Sequence, residues 1–368
     1  MRLRDIKLTE YRNCRDLYLD LESDKVLIIG KNAQGKTNIL ESIYFLSTLK
    51  SQRTSNNIEL VNFNANKTEI NCNLIKANTD IELDFSYTRE KKREIAVNKL
   101  KTTPKNFKSV LKTVLFSSQD LMLLRGNPSD RRDWLDGAIS QIYPAYDERL
   151  SKYEKIRIQK NNLLKEYLKT GSLNDALLDV YNEQLAITGS NIIYLRIKFL
   201  KEIEKIASEK HHVISENENL KISYDCSFLN SQSELDDILS AFKQTLEERK
   251  IEEMRRGQSC VGPHRDDVIF YINNNEATKF ASQGQQRTVV LALKLSELDI
   301  ITSKTGDEPV LLLDDVLAEL DDIRQNYLLK SINKNTQTII TSVDTILFEE
   351  EFLDGVKIFK IENGNVIE

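Results

Sequence analysis

The chain predicts an α/β protein of two lobes: a mixed sheet with flanking helices, and a mainly helical block inserted into it. Three observations carry this expectation. GKNAQGKT, residues 30–37, follows a short apolar run and opens a stretch of helical spacing. PVLLLDD, residues 309–315, is a second apolar run that ends in two aspartates. Between about Ser129 and His212 the pattern is helical with few breaks. A chain of 368 residues is long enough for two such lobes.

The elements follow in order. LRDIKLTEY and RDLYLDLES alternate with period two, as half-buried strands do, and KVLIIG is a continuous apolar run that reads as a buried strand ending at Gly30. TNILESIYFLSTLK places Ile39, Ile43 and Leu46 on one helical face. Strand patterns return in TEINCNLIKA and DIELDFSYTRE. Two long amphipathic helices are predicted over DERLSKYEKIRIQKNNLLKEYL and YNEQLAITGSNIIYLRIKFLKEIEKIASEK, with the turn KTGSLND between them. LKISYDCSF is strand-like, SELDDILSAFKQTLEERKIEEMRR is one more helix, and DDVIFYINNNEA is a strand running into a turn. The last third alternates helix and strand, which marks a parallel sheet. The expected division is therefore residues 1–127 and 216–368 as the halves of one nucleotide lobe, with 128–215 as the inserted helical lobe. That insert is short and broken at Gly171 and Gly189, which excludes long coiled-coil arms.

Composition narrows the function. The net charge is −5, so no global field calls for nucleic acid, and any such contact has to be local. Cys14, Cys72, Cys226 and Cys260 show no paired spacing and there are three histidines, so the cysteines read as reduced thiols rather than a zinc site. The opening MRLRDIKLTEYRN lacks the apolar core of a signal peptide, and no window approaches the ~18 apolar residues of a membrane span. A cytoplasmic protein without membrane contact is expected.

GKNAQGKT fits the phosphate-loop pattern in the required strand–loop–helix context. Gly30 and Gly35 let the backbone wrap phosphates. Lys31, Asn32, Ala33 and Gln34 supply N–H groups, and Asn38 continues into the helix. Lys36 is placed to reach the β- and γ-phosphates of ATP, and the Thr37 hydroxyl to ligate Mg²⁺. Asp314, at the end of the apolar strand, is expected on the Mg²⁺ side, with Asp315 as the general base for the attacking water.

FASQGQQRTVVLALKL, residues 280–295, raises a separate question. Ser282, Gln283, Gly284, Gln285 and Gln286 put uncharged hydrogen-bonding groups at a helix start. One reading is a polar helix cap with Ser282 as N-cap. The other is a second anion site. Because the helix that follows crosses the sheet, Ser282, Gly284 and Gln285 would then meet the ATP of a second copy. That is the head-to-tail arrangement of ATP-binding-cassette ATPases.

With these pieces in order, the chain resembles the RecF family of bacterial recombination-mediator ATPases, of the SMC/cassette type. LTEYRNCRDLYLDL, GKNAQGKTNILESIYFLS with SQRT at 51–54, VLFSSQDLMLLRGNPSDRRDWLD, GPHRDD, SQGQQRT and LLLDDVLAELD carry the resemblance along nearly the whole chain. It implies an ATP-dependent homodimer on double- and single-stranded DNA at gaps, acting in replication and recombinational repair. It implies that RecO and RecR are partners in loading RecA, that the SOS response is supported, and that the protein is nucleoid-associated. It also implies a slow, DNA-stimulated ATPase whose hydrolysis acts as a switch. The family pattern makes Glu319–Leu320–Asp321 a loop that speaks across the dimer, and Gln119 a lid residue sensing Mg²⁺ or water. Cassette ATPases use Glu where this chain has Asp315, one methylene shorter, and slow turnover is expected. QTIITSVD lacks the switch histidine, for which Thr341 or Ser342 could stand in.

Further residues have two readings each. The basic run Lys91–Lys112 is either a phosphate-tracking surface or a solvated face. Arg125, Arg131 and Arg132 either meet DNA phosphate or form salt bridges with Asp130 and Asp133. His264 and Arg265 lie either in a turn or near nucleotide or the dimer seam. Rival functions are a transporter ATPase subunit, a small-molecule kinase, which leaves SQGQQ unexplained, and a clamp that binds ATP without hydrolysing it.

Overall fold

The computed structural model describes residues 1–229, 234–332 and 335–367. In chain order the elements are β1 (Arg2–Tyr11), β2 (Cys14–Asp20), β3 (Lys25–Ile29), α1 (Lys36–Thr48), β4 (Lys67–Lys76), β5 (Thr79–Thr88), β6 (Arg93–Val97), β7 (Leu100–Lys101), α2 (Pro104–Lys108) and β8 (Thr113–Ser117). There follow α3 (Met122–Arg125), α4 (Pro128–Ile142), α5 (Tyr146–Thr170), α6 (Asp175–Ile214), β9 (Leu220–Asp225), α7 (Leu235–Glu248), α8 (Lys250–Arg256), β10 (Asp267–Ile272), β11 (Asn275–Glu276) and α9 (Ala277–Phe280). The chain closes with α10 (Gln283–Thr305), β12 (Val310–Asp314), α11 (Asp322–Ser331), β13 (Thr338–Ser342), α12 (Glu350–Leu353), β14 (Lys357–Glu362) and β15 (Asn365–Val366).

Two compact units result: residues 1–120 with 290–368, and residues 121–289. Residues 216–289 thus fall with the helices, whereas the sequence placed 216–368 wholly in the nucleotide lobe. The reason lies in β9 and β10, which pair with each other and pack on α6 and α4 rather than joining either large sheet.

The first unit holds two six-stranded sheets, ordered β2-β1-β4-β5-β6-β7 and β15-β14-β3-β13-β12-β8. The first is antiparallel and alternates, with Leu3, Ile6, Leu8, Ile70, Cys72, Leu74, Leu83 and Phe85 turned into one core. In the second, β14, β3, β13, β12 and β8 run parallel, and the inner strands read as continuous buried runs such as VLLL and TIITS. The register puts Ser117, Asp314 and Thr341 in one row, with Ser342 opposite Ile29. Four strands therefore deliver their carboxyl ends to one edge, where parallel sheets bind ligands.

The second unit is built on α4–α8 with the three-stranded sheet β11-β10-β9. α6 runs unbroken for 40 residues through Gly189, which the sequence reading took for a break. A Cβ at Gly189 would stand 2.4 Å from Phe242 Cε1, so the glycine lets α7 close on α6. The single helix expected over SELDDILSAFKQTLEERKIEEMRR, of which Ser233 lies outside the described residues, is two helices that meet at Arg249. In α10, Thr288 to Leu298 is buried on every face, with the polar Thr288, Lys294, Ser296 and Glu297 enclosed among its apolar residues. Among the described residues no helix is long and apolar enough to cross a membrane.

Candidate functional site

The phosphate loop is fixed from three sides before any ligand is considered. Gly30 has φ +157°, and a Cβ there would lie 2.4 Å from the carbonyl oxygen of Ile361, so β14 passes against bare backbone. The N–H of Gly364 donates to Gln34 O at 2.8 Å, the N–H of Asn363 to Gln34 Oε1 at 2.6 Å, and Asn13 Nδ2 to Gln34 O at 3.2 Å. Asn38 Nδ2 donates to Asn13 Oδ1 at 2.6 Å, tying the first turn of α1 to the β1–β2 turn. Lys31, Asn32 and Ala33 form the exposed crest, with Ala33 at φ +64°. Lys36 Nζ donates to the carbonyls of Gly30 at 2.7 Å and Lys31 at 3.2 Å. Those bonds hold the ammonium over the loop, where phosphate oxygens can replace the carbonyls.

Thr37 and Asp314, 277 residues apart, meet here: the Thr37 hydroxyl donates to Asp314 Oδ1 at 3.0 Å. Thr341 Oγ1 donates to the same oxygen at 2.9 Å and accepts the Asp315 N–H at 2.9 Å. Burial pushes the Asp314 carboxyl above the ordinary aspartate value, while the Thr341 and Thr37 hydroxyls pull it back down. Asp315 has φ +52°, a left-handed conformation that costs of order 1 kcal/mol in a residue with a Cβ. A hydroxyl and a carboxylate at this spacing suit an octahedral Mg²⁺ that keeps waters and takes its other ligands from phosphate.

A cavity of about 190 Å³ opens beside them, lined in part by Thr37, Arg53, Ser117, Gln119, Asp314 and Asp315. Gln119, expected in a lid, is therefore in the same cavity as Thr37 and both aspartates. Arg53 and Glu41 had no role from sequence, although SQRT was singled out. Arg53 donates to Asn38 Oδ1 at 2.6 Å. Glu41, 4% exposed at the side chain, accepts from Arg12 Nε at 2.5 Å, Arg12 Nη2 at 2.6 Å and Ser51 Oγ at 2.5 Å. The signal in SQRT was a polar turn with one arginine straight after the phosphate-loop helix. Nothing local pointed to Arg12.

Ser282 lies in the second unit and is exposed. Its N–H donates to Gln285 Oε1 at 2.8 Å, and its Oγ accepts the Gln285 N–H at 3.2 Å, a reciprocal cap. Gln285 Nε2 donates to Glu218, and Gln286 Oε1 accepts from Arg125 Nε at 2.7 Å. The cap leaves the Ser282 O–H proton available to an outside acceptor, and the first N–H groups of a helix have no intrahelical partner. Gly284 stands in that first turn.

Other expectations resolve into local pairing. Arg131 is buried and bidentate on Asp267, at 2.7 Å to each oxygen, rather than free for phosphate or paired with Asp130 or Asp133. Arg132 donates to the backbone carbonyl of Asp266 at 2.8 Å. In the basic run, Lys92, Lys99 and Lys101 face Glu90, Glu82 and Glu94, and Lys112 is buried. His264 Nδ1 lies 2.8 Å from Tyr153 Oη and its Nε2 3.3 Å from Ser259 O. Asp321 caps α11 by accepting the Arg324 N–H at 3.0 Å.

A phosphate loop, an aspartate-ended strand two places along and a glutamine loop on one parallel sheet edge define a P-loop ATPase head of the SMC/cassette type. The model of the RecF/RecN/SMC N terminal domain matches residues 2–366. The DNA replication and repair protein RecF of Bacillus velezensis is 36% identical over 100% of both chains, and that of Cyanothece sp. is 38% identical over 99% of this chain and 97% of its own. A solved structure of the recombination mediator protein RecF-ATP in the RecFOR pathway aligns at TM-score 0.92 and 34% identity, covering 99% of this chain and 96% of that one. An SMC head bound to the C-winged helix domain of ScpA, 14% identical with TM-score 0.56, shares the fold. The chain belongs to the RecF family.

Proposed function

We propose that the protein is an ATP-gated DNA clamp of recombinational gap repair. Two copies close head-to-tail on Mg-ATP around duplex or single-stranded DNA beside a gap, and hydrolysis reopens them. RecR and RecO are its partners in loading RecA, and support of the SOS response follows from that role. The observation that carries the reading is the convergence of Thr37, Gln119, Asp314 and Asp315 on one cavity while Ser282 stands exposed at a capped helix start. A pocket for a whole ligand usually measures about 300–1,000 Å³. The smaller cavity suits the phosphate end of ATP and a metal.

Lys36 binds the β- and γ-phosphates, assisted by the N–H groups of residues 30–35. Thr37 and Asp314 would hold Mg²⁺, which would supply charge stabilisation at the phosphate oxygens. Asp315 takes the proton of the attacking water, and Gln119 orients that water or the metal shell. Ser282 and Gly284, with Gln285 as their cap, face the γ-phosphate of the other copy. ADP lacks that contact and does not hold the dimer. The ATPase is slow because Asp315 is one methylene shorter than the usual Glu, and DNA-stimulated because DNA favours the ATP-closed dimer that completes the site.

Sedimentation with Mg-ATP, Mg-ADP and no nucleotide tests this, alongside Ser282→Arg. Dimers with ATP alone, absent in the variant, are expected. Wild type that stays monomeric with ATP bound reduces SQGQQ to a helix cap.

A further inference from the structure

GPHRDD, residues 262–267, has no part in the phosphate-loop chemistry. Every residue of it but one is held by the surrounding fold. Gly262 has φ +123°, and a Cβ there would stand 2.2 Å from Tyr153 Oη, so bare backbone admits that hydroxyl. The Pro263 carbonyl accepts from Arg196 Nη1 at 2.7 Å. His264 Nε2 faces Ser259 O, which can only accept, so Nε2 carries the hydrogen and Nδ1 accepts the Tyr153 hydroxyl. Asp266 accepts the Tyr224 hydroxyl, and Asp267 takes the fork of Arg131. Arg265 is left over: it is exposed and reaches only the Ser259 carbonyl, at 3.4 Å.

A cavity of about 540 Å³ lies beside this turn, wholly within the second unit. Its walls carry four arginines and three carboxylates. Two of the arginines are already answered. Arg196 forks onto Asp136 at 2.9 Å to each oxygen, and Arg157 forks onto Glu154. The other two are Arg265 and Arg132. Arg132 gives an N–H to the Asp266 carbonyl at 2.8 Å. Among the described residues, neither has a carboxylate within salt-bridge distance. A guanidinium carries five N–H donors, so each keeps several for a ligand. Leu150, Pro263 and the ring of Tyr153 supply apolar wall in the same cavity.

We propose that this cavity binds a small phosphate monoester of nucleoside-monophosphate size, its phosphate held by Arg132 and Arg265 and its nucleoside against Tyr153, Pro263 and Leu150. A phosphate monoester brings a charge of about −1.5 to −2 at neutral pH, which matches two spare guanidiniums, whereas a carboxylate brings half as much. The volume falls within the roughly 300–1,000 Å³ usual for a whole small ligand. A nucleic-acid strand suits the cavity less well. Its successive phosphates call for a stripe of cations, but Asp133, Asp136 and Glu154 line these same walls and repel a polyanion. His264 adds no charge of its own, because burial lowers it to about 3. The site stands whether or not the clamp reading holds, since every residue in it belongs to one unit.

The test uses the full chain carrying Lys36→Ala, in EDTA, so that the phosphate loop does not compete. AMP, CMP, adenosine, inorganic phosphate and a short single-stranded oligonucleotide are titrated by calorimetry, and amide hydrogen exchange over residues 153–157 and 258–266 locates the binding. AMP or CMP is expected to bind with a Kd of about 1 mM or below and to protect 258–266, while adenosine does not bind. Arg132→Gln and Arg265→Gln should each weaken the monophosphate at least about tenfold, the loss of one charge-assisted contact. Arg265→Lys, which keeps the charge but loses the fork, should weaken it by less. No protection of 258–266 by AMP or CMP at about 10 mM overturns the proposal, as does an affinity within about twofold of the parent in both glutamine variants. Inorganic phosphate bound as tightly as AMP overturns the nucleoside part. An oligonucleotide that protects 258–266 where AMP does not makes the cavity a nucleic-acid contact instead. If a glutamine variant fails to fold, Arg265→Lys must still weaken AMP at least about threefold, or the proposal falls.

Discussion

The hydroxyl of Thr341 lies 2.9 Å from Asp314 Oδ1 and 2.9 Å from the backbone nitrogen of Asp315, so one side chain of β13 sets both aspartates at the end of β12. Thr341 is 1% exposed, and no water can substitute for it. Thr341→Val keeps the shape and removes both bonds. The Asp315 N–H is then left without a partner at a cost of about 1–3 kcal/mol. Loss of the bond to Asp314 raises that carboxyl further, so Mg²⁺ binding needs a higher pH in the variant. ATP turnover is expected to fall roughly 10- to 100-fold through misplacement of Asp315, with Thr341→Ser near wild type. Denaturant unfolding and Mg²⁺-dependent ATPase assays at several pH values read both effects.

Asp315 is the residue whose removal separates binding from chemistry. Asp315→Asn preserves size and hydrogen bonding but cannot accept the proton of water. Hydrolysis is expected to drop roughly 10²- to 10⁴-fold, with ATP affinity nearly unchanged. A variant that turns over ATP as fast as wild type removes Asp315 from the mechanism.

Much of this site was legible because the pieces are local. GKNAQGKT and PVLLLDD announce strand ends by continuous apolar runs, and a parallel sheet brings such ends to one edge. The rest depended on pairings that no local pattern encodes. Arg131 and Asp267 lie 136 residues apart, and their bidentate pair could not be told from an arginine awaiting phosphate. Gly189 looked like a helix breaker, because its use is to admit Phe242, a residue of another helix. In the basic run 91–112, Lys99 and Lys101 meet carboxylates from neighbouring strands, at Glu82 and Glu94. SQGQQ was legible as a helix start, but its cap on Gln285 and the bonds to Glu218 and Arg125 were not.

Glu41 offers a third test. This carboxylate of α1 takes a fork from Arg12 and the Ser51 hydroxyl, joining the β1–β2 turn to the segment that carries Arg53. Breaking a buried pair from one side costs about 3–5 kcal/mol, because the partner charge is stranded. Glu41→Gln is expected to lose stability of that order and to weaken ATP binding as the 51–53 segment loosens. Arg12→Met with Glu41→Leu removes both charges. It should recover most of the stability without recovering ATP affinity, which calorimetry and nucleotide titration separate.

The last test concerns two neighbours in the second unit whose titrations oppose each other. Burial lowers His264 to about 3, the bond to Ser259 O partly countering it. Burial raises Asp266 to about 6, although the Tyr224 hydroxyl donates to it at 2.6 Å and pulls the other way. As pH falls below the ordinary histidine value of about 6.5, the unfolded chain protonates His264 and the folded one does not, so stability is lost down to about pH 3. Asp266 has the opposite sign. From about pH 6 down to the ordinary aspartate value, the folded state holds a proton that the unfolded chain has released, so stability is gained as pH falls. Each contributes up to about 1.4 kcal/mol per pH unit, and over roughly pH 4–6 the two nearly cancel. Asp266→Asn should therefore lose stability more steeply than wild type on acidification. His264→Gln should lose less, or gain. The difference in slope between the two variants is expected near 2–3 kcal/mol per pH unit around pH 5. Urea unfolding at pH 4.5, 5.5 and 6.5 measures it, and parallel slopes in the two variants would show that the pair does not titrate as a couple of opposed sign.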